Sequence, residues 1–341
     1  MLPTLSVLIP AKNEEKVIAK CLDSLLSSNY PKNKLEIIVN VNGSSDNTAK
    51  ICKKYKRVKT IVTGPKNCRA EALNEIIPNA KGEIIGIFDA DTIVEKNCLS
   101  NAIKRFSDKT VMGVSGMTRS LRENIISKTI SIEKSFNSLF EYIINIKLGH
   151  NAIFAGKNMY IRKKIFGKIG KLDVFVYSDD IEFSQRMKKN KYKVVYEPSA
   201  VSWEQEPSTL KIYYKQRNRW ARSGLKIFKF HNSEKKRWIS DLSHFSGYYF
   251  APFISIVSGL MLLFFLFNFP VIAILYFFIF FLFFSAILIT YSRLMYNEPL
   301  TDLIYLPLWF VLQNINLVLL FKVYIDEKLE KKFIWHDIER K

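Results

Sequence analysis

Between Asp241 and Arg293 the chain has no Asp, Glu, Lys or Arg, a run of 51 residues from Leu242 to Ser292 rich in Phe, Leu and Ile. Water cannot solvate such a stretch, and it is long enough for two helices of the ~20 residues that cross a hydrocarbon core. A purely soluble protein is therefore excluded. The rest of the chain is as charged as this run is neutral. Residues 1–238 hold 44 Lys and Arg against 23 Asp and Glu, whereas residues 239–341 hold 7 against 8. The net charge of +20 thus sits in the first part. Apolar residues make up 48% of the chain, which excludes intrinsic disorder.

Charge divides the chain into a basic part (1–238), a membrane part (239–325) and a tail (326–341). Three apolar segments in or near the membrane part are expected to be helical: Gly247–Phe267, Pro270–Tyr291 and Leu303–Val323. The first two read as full crossings. The third holds Gln313, Asn314 and Asn316, so it is either a span facing other helices or a re-entrant segment. Lys and Arg on a flank favour the cytosolic side. The basic part should be cytosolic, and so should the stretch Lys322–Lys341 with its six Lys and Arg. Three crossings would separate the two, so one segment is expected not to cross fully. The expected location is the cell membrane, multi-pass, with the basic part inside. The four cysteines (Cys21, Cys52, Cys68, Cys98) show no C-x-x-C spacing, which signals neither zinc nor a redox pair and favours a reducing compartment. Met1-Leu2-Pro3 runs straight into an apolar segment, so no signal peptide is expected.

Within the basic part, short apolar runs alternate with helical spacing. Strands are expected at Leu5–Pro10, Leu35–Val41, Val58–Val62 and Ile84–Phe88. Helices are expected at Glu14–Leu26, Asp46–Tyr55 and Ala70–Ile77, with Asp46 as a cap. This alternation predicts a mostly parallel sheet covered on both faces. Ligands then sit beyond the C-terminal ends of the strands, in the loops after Ile9, Val41, Val62 and Phe88. Further along, the pattern predicts a long amphipathic helix at Ile125–Leu148, a strand at Phe154–Ile161, a helix at Asp180–Lys189 and a strand at Lys193–Tyr196. A basic, aromatic helix or helix pair should follow at Pro207–Phe230.

Three clusters could carry chemistry. Asp89-Ala90-Asp91 directly follows the apolar run Ile84–Phe88. Two carboxylates one residue apart at the end of a buried strand can grip Mg²⁺ or Mn²⁺, which prefer oxygen ligands and phosphate. Alone, D-x-D is equally well explained by solvated loop acids. Ser178-Asp179-Asp180-Ile181-Glu182 opens a helix, where acids favour the positive end of the helix dipole. The competing reading makes one of these acids a general base. Gln216-Arg217-Asn218-Arg219-Trp220 lies in the basic helix before the membrane part. A lipid-binding belt or a nucleic-acid patch explains its charge, but not Gln and Trp at that spacing.

Taken in order, these segments resemble the inverting family-2 glycosyltransferases with a GT-A fold, in particular the membrane-embedded branch of cellulose, chitin and hyaluronan synthases. Ser6 to Glu15 looks like the opening strand and nucleotide-binding loop, and Asn42-Gly43-Ser44-Ser45-Asp46-Asn47-Thr48 is similar to the D-G-S-x-D-x-T turn. Arg69 to Asn74 is similar to K-x-x-A-L-N, and Asp89-Ala90-Asp91 to D-x-D. Ala155-Gly156-Lys157-Asn158 looks like the acceptor-side G-T-N segment, Asp179-Asp180 like the E-D pair and Gln216 to Trp220 like Q-x-x-R-W. Trp335 to Arg340 resembles a cytosolic tail found after the last span. The likeness covers residues 5–224 well and the membrane part in outline.

The resemblance implies an α/β catalytic domain, Rossmann-like and of GT-A type, followed by a C-terminal α-helical transmembrane region. It implies sugar transfer from a nucleotide-diphosphate donor, with Asp180 as the catalytic base and Asp89 and Asp91 holding a divalent cation, Mg²⁺ or Mn²⁺. Pro10, Ala11, Asn13, Glu14, Asn42, Asp46, Arg69 and Asp89 would line the nucleotide sugar. Asp179, Gln216, Arg219 and Trp220 would lie by the diphosphate or the acceptor. A lipid-linked or saccharide acceptor and membrane lipid are the expected partners, with no nucleic acid and a possible homodimer. Two alternatives stand beside this. A processive polysaccharide synthase is favoured by Q-x-x-R-W. A membrane-anchored basic binding protein leaves D-x-D and the acid pair unexplained. The chain also departs from the family pattern. Asn40-Val41-Asn42 stands where an Asp usually contacts the base, which leaves UDP favoured and GDP possible. Arg69 replaces a Lys, and Asp179 replaces a Glu.

Overall fold

The computed structural model describes residues 2–154, 156–176, 178–231, 283 and 285–329. Leu5–Ala11 (β1) is central because both its faces are apolar: Leu5, Val7 and Ile9 pack into one core and Leu8 into the other. It pairs in parallel with Leu35–Asn42 (β2) on one side and Ile84–Ile87 (β4) on the other. Val58–Thr63 (β3) extends this half in parallel beyond β2. Ile18–Leu26 (α1), Thr48–Lys53 (α2) and Cys98–Lys104 (α4) cover the first core. Arg69–Ile76 (α3), Lys164–Ile169 (α6) and Asp179–Lys189 (α7) cover the second. The order β3-β2-β1-β4 opens a crevice beyond the C-terminal strand ends, where a doubly wound sheet takes its ligands.

The four strands expected to be parallel are so, and the mixed part of the sheet comes from strands further along the chain. Met159–Arg162 (β7) enters antiparallel between β4 and Val111–Leu121 (β6). Lys193–Gln205 (β8) runs parallel to β6, and the two-residue Ile93–Val94 (β5) closes the edge against it. The result is a mixed eight-stranded sheet. The floor is pinned by Asn158, fully buried with a φ of 62°. Its amide donates to the carbonyls of Met117 (3.0 Å) and Ala200 (2.7 Å), and its own carbonyl accepts from Gly116 N (2.8 Å).

Several expected boundaries move. The strand predicted from Phe154 begins only at Met159, because Gly156 and Asn158 both turn left-handed. The strand at Lys193 runs on past Tyr196 to Gln205, across a register shift opposite Gly116 and Met117. The first helix starts at Ile18, after a turn at Glu14. Asp46 does not occupy the cap position, which falls on Asn47; its carboxylate instead accepts from Thr48 N (3.0 Å) in a local turn. Ile125–Glu141 (α5) is the α-helical part of the long predicted helix, and it widens into a π-helical turn at Tyr142–Lys147.

Of the expected membrane segments, Gly247–Phe267 lies outside the described residues, and so does most of Pro270–Tyr291. Among the described residues one helix is long and apolar enough to cross a membrane, Leu300–Lys328. It comprises a 3₁₀ turn, Leu300–Tyr305, and the α-helix Leu306–Lys328 (α9). This helix packs along α5 and along Leu210–His231 (α8). Trp309 stacks near Phe136, Leu312 meets Ile130 and Tyr213, and Leu319 and Val323 meet Ala221. Buried polar contacts line the same seam. Arg217 pairs with Glu133 (2.8 Å), which also accepts from Gln313 (3.2 Å). Tyr213 donates to Asn316 (3.0 Å), and Arg222 pairs with Asp326 (3.0 Å).

Candidate active site

Two loops form the rim beyond β1 and β2. Pro10 and Ala11 end β1, and the buried Asn42 at the end of β2 donates to the Ala11 carbonyl (3.2 Å). Asn13, at a φ of 56°, accepts from Ser45 N (2.9 Å) and donates its own amide to Ser44 Oγ (3.0 Å). Glu14 N donates to Thr48 Oγ1 (2.8 Å), and Glu15 N donates to Asp46 Oδ2 (3.1 Å). Both oxygens of Asp46 therefore brace this pair of loops. Gly43 makes the turn with a φ of 65°, and a Cβ there would collide with the backbone of Pro65.

The deepest part of the crevice gathers residues far apart in sequence. Arg69 is the first residue of α3. Its guanidinium donates Nε to Asp89 Oδ1 (2.9 Å), Nη1 to Asp179 Oδ2 (2.6 Å) and Nη2 to the carbonyl of Gly156. Asp89 follows β4, and a turn closed by Thr92 N on the Asp89 carbonyl (3.1 Å) carries the buried Asp91. Asp179 and Asp180 open α7, and Asp180 keeps part of its surface accessible. Gly156, at a φ of 73°, lies against Asp180, and a Cβ on it would come within 2.6 Å of Asp180 Oδ2. A side chain here would have to displace that carboxylate and hold a strained left-handed backbone.

One guanidinium thus binds two acids, Asp89 and Asp179, and stands near a third, Asp180. Burial raises the pKa of Asp179, and Arg69 opposes that shift. Burial, then the neighbouring Asp179, push Asp180 up to about 7. A carboxylate poised near neutrality can accept a proton from a hydroxyl group at physiological pH. Glu182, one turn on, is clamped to Arg186 (2.7 Å), which also holds the carbonyls of Ile169 (2.6 Å) and Lys171 (2.8 Å). This fixes the start of α7 against the preceding loop.

Gln216, Arg219 and Trp220 lie on α8, an element distinct from those that bear the carboxylates. The Arg217 guanidinium lies 4.5 Å from the centroid of the Trp220 ring, so one part of that ring is already engaged. Gln216 is buried, and its Oε1 has no hydrogen-bond partner among the described residues.

Residues 3–223 match the family model described as glycosyltransferase-like family 2. The chain belongs to this family. The chain is 33% identical over 273 residues to the probable glycosyltransferase YdaM of Bacillus subtilis, covering 76% of this chain and 65% of that one. It is 30% identical to a beta-monoglucosyldiacylglycerol synthase of Trichormus variabilis (65% of this chain, 49% of that one). It is 31% identical to a poly-beta-1,6-N-acetyl-D-glucosamine synthase of Staphylococcus epidermidis (65% and 55%). The matches therefore span only about half to two thirds of these relatives. The solved mannosyltransferase PcManGT of Pyrobaculum calidifontis, in complex with GDP-Man and Mn²⁺, shares the fold at a TM-score of 0.66 and 20% identity, covering 97% of this chain and 89% of that one.

The family-2 domain offers a hard divalent ion two carboxylates, Asp89 and Asp91, on one short turn. Among the described residues no group of three His, Cys, Asp or Glu converges as a closed metal site. Two carboxylates on one turn suit an ion of the Mg²⁺ type, which uses one or two protein carboxylates and fills its remaining positions with phosphate oxygens and water.

Two features of the crevice were not singled out from sequence. One is Gly156, noticed in sequence only as part of a motif. The other is a buried charge network beside Asp91. Lys134 on α5 pairs with Glu204 and with Glu206 (2.5 Å), Lys157 pairs with Glu204, and Ser120 donates to Glu206 (2.9 Å). Burial lowers the pKa of Lys134 to about 8 although Glu206 opposes it, and Asp91 contributes to its field. The spacing Glu204-x-Glu206 was the available signal, since alternate positions leaving a strand share a face.

Proposed function

We propose that this protein is an inverting, membrane-bound glycosyltransferase that moves a sugar from a nucleotide-diphosphate donor to a hydroxyl on a lipid-linked or saccharide acceptor. The observation that carries the reading is the convergence of Arg69, Asp89, Asp179, Asp180 and Gly156 at the strand ends, with Asp180 raised towards neutrality. The acceptor oxygen attacks the anomeric carbon and forms the new glycosidic bond. The bond from that carbon to the diphosphate breaks on the opposite face. The acceptor proton passes to Asp180, and the nucleoside diphosphate leaves. Asp89 and Asp91 would hold a Mg²⁺ or Mn²⁺ ion, whose chemistry is to neutralise charge on the departing diphosphate. Arg69 is within reach of the same region and adds a fixed cation. Gln216, Arg219 and Trp220 are assigned to the diphosphate and acceptor side. The braced loops at Pro10–Glu14 and Asn42–Asp46 form the nucleotide rim, and UDP is the favoured base, with GDP possible.

A lipid-linked acceptor is the preferred reading because the charge-free run Leu242–Ser292 ties the catalytic part to the bilayer. The second reading, processive polysaccharide synthesis, is supported by Q-x-x-R-W and by the likeness to a poly-N-acetylglucosamine synthase. Membranes containing the full chain, given a panel of labelled nucleotide sugars with Mg²⁺ or Mn²⁺, separate them. Label in the organic phase supports a lipid acceptor. Label in a growing high-molecular-weight fraction supports the synthase. Label in neither, for every donor, overturns the proposal.

A further inference from the structure

The floor of the crevice holds a row of charges that the proposed reaction does not use. Lys157, between Gly156 and Asn158, pairs with Glu204 Oε2. Lys134 of α5 pairs with Glu204 Oε1 and reaches Glu206 Oε1 at 2.5 Å, and Ser120 of β6 donates to that same Glu206 oxygen (2.9 Å). Both glutamate side chains are 4% exposed, and the two lysine side chains 17% and 20%. Two ammoniums against two carboxylates leave no net charge, so the row is a site for neither a cation nor an anion. Burying such pairs adds little stability over apolar side chains of similar volume. What the row supplies is a fixed spacing. Each oxygen of Glu204 has its own donor, and a shift at one end would leave a buried charge unpaired.

The row begins at the segment that touches Asp180. Gly156 has a φ of 73°, its carbonyl accepts from Arg69, and a Cβ on it would meet Asp180. A glycine in that conformation is the most permissive residue of the chain and does not hold its own position. Lys157, its neighbour, is tied down through Glu204. The other end of the row is α5. Glu133 and Lys134 are successive residues, about 100° apart around a helix. One is turned to Arg217 of α8 and the other to the crevice floor.

We propose that Lys157 is a positioning residue: its ion pair with Glu204, braced by Lys134, holds Gly156 against Asp180 and so sets the place of that carboxylate and keeps water from it. The inference rests on the proposed transfer with Asp180 as base, and adds the residue that acts on the base through the loop. Besides burial, the charges that act on Asp180 are those of Asp179, which raises its pKa, and Arg69, which lowers it. Release of Gly156 leaves both charges in place and admits water, which weakens burial, the largest cause of the upward shift. Arg69 would also lose its bond to the Gly156 carbonyl and could turn to Asp180, which acts in the same direction. The acid limb of the pH profile should therefore move down.

The test compares the full chain as wild type, Lys157→Met and Lys157→Arg. Met keeps an apolar stem and leaves Glu204 paired with Lys134, so the fold should survive. Hydrogen exchange is read at the amides of Gly156 to Met159, and turnover is read against pH with the UDP or GDP sugar that the wild type uses. In Lys157→Met, exchange should quicken about tenfold, and turnover on the high-pH plateau should fall about tenfold, as for a group misplaced by less than 1 Å. The midpoint of the acid limb should drop by about one pH unit, with donor binding by calorimetry unchanged. Lys157→Arg should restore all three. Glu204→Gln breaks the same pair from the other side and must reproduce the result, which guards against a Met variant that fails to fold. Unchanged exchange overturns the proposal. Faster exchange with an unmoved acid limb also overturns it, since Lys157 would then steady the loop without acting on Asp180. A wild type that moves no sugar from any donor overturns the reaction and this role with it, and that result is told apart because it precedes any substitution.

Discussion

The crevice and the α5–α8–α9 seam both bury arginine against carboxylates, but they distribute charge differently. In the seam and beside it acids and guanidiniums are balanced: Arg217 meets Glu133, Arg222 meets Asp326 and Glu327, and the fully buried Arg293 meets Asp302 at 2.8 Å, which Arg122 also reaches. In the crevice one guanidinium serves Asp89 and Asp179 directly and Asp180 through its field. Balanced charges hold a structure in place. An acid-rich cluster stays short of positive charge, keeps an acid poised to take a proton, and leaves room for a cation to arrive. Under the proposed function, the difference makes the seam a scaffold and the crevice a site that a ligand completes.

The sharpest way to break that distinction is Asp180→Asn. It should lower turnover by about 10³, within the range of a lost general base, while donor binding measured by calorimetry stays intact. Wild-type turnover in this variant would remove Asp180 from the chemistry. Next in size is the loss of the cation. Chelation, or Asp89→Asn with metal present, should lower turnover by about 10²–10³, and Mn²⁺ should restore the chelated wild type but not the variant. Full activity in a chelator would leave Asp89 as a partner of Arg69 only.

Gly156→Ala should cost about tenfold in turnover, because its strained left-handed backbone and new Cβ both press on Asp180. The pH profile sharpens the same point. Asp180 must be ionised to accept a proton, and its raised pKa puts that transition near pH 7. Turnover should fall about tenfold per pH unit below it and level off above it. A flat profile down to pH 5 contradicts the raised pKa. The smallest catalytic effect belongs to the seam. Glu133→Gln should lower the thermal midpoint, since it leaves a buried Arg217 beside a neutral amide, a change worth about 3–5 kcal/mol when a buried pair is broken. Below the transition its turnover should remain within about twofold of wild type. A large loss of turnover without loss of stability would make the seam part of the site.

The parallel half of the fold was legible in sequence because β1, β2 and β4 are continuous apolar runs broken by turn residues. The other half was not. In β6, Ser115, Thr118, Arg119 and Ser120 interrupt the apolar pattern, and the register shift in β8 breaks its alternation. The acids of the crevice were found from local motifs. Their joining by Arg69 was hidden, because Gly156 and Asp179 lie 87 and 110 residues away in the chain. Local pattern reports faces and turns, while a shared guanidinium is a product of the closed fold. The membrane segments at Gly247–Phe267 and Pro270–Tyr291 rest on sequence, since they lie wholly or mostly outside the described residues.

Asn158 has a consequence for how such a domain can change. One amide joins β6 to the middle of β8, at Ala200, so a single residue just before β7 ties the two strands together at the register shift. The stretch before it, from the π-helical turn at Tyr142 to Phe154, holds the beginning of β8: Asn145 accepts from Tyr196 N (2.7 Å), Asn151 accepts from Val194 N (3.2 Å), and Ala152 N donates to the Val194 carbonyl (3.0 Å). An insertion there would therefore pull on β8 and on the short loop between Phe154 and Asn158, whose Gly156 lies against Asp180.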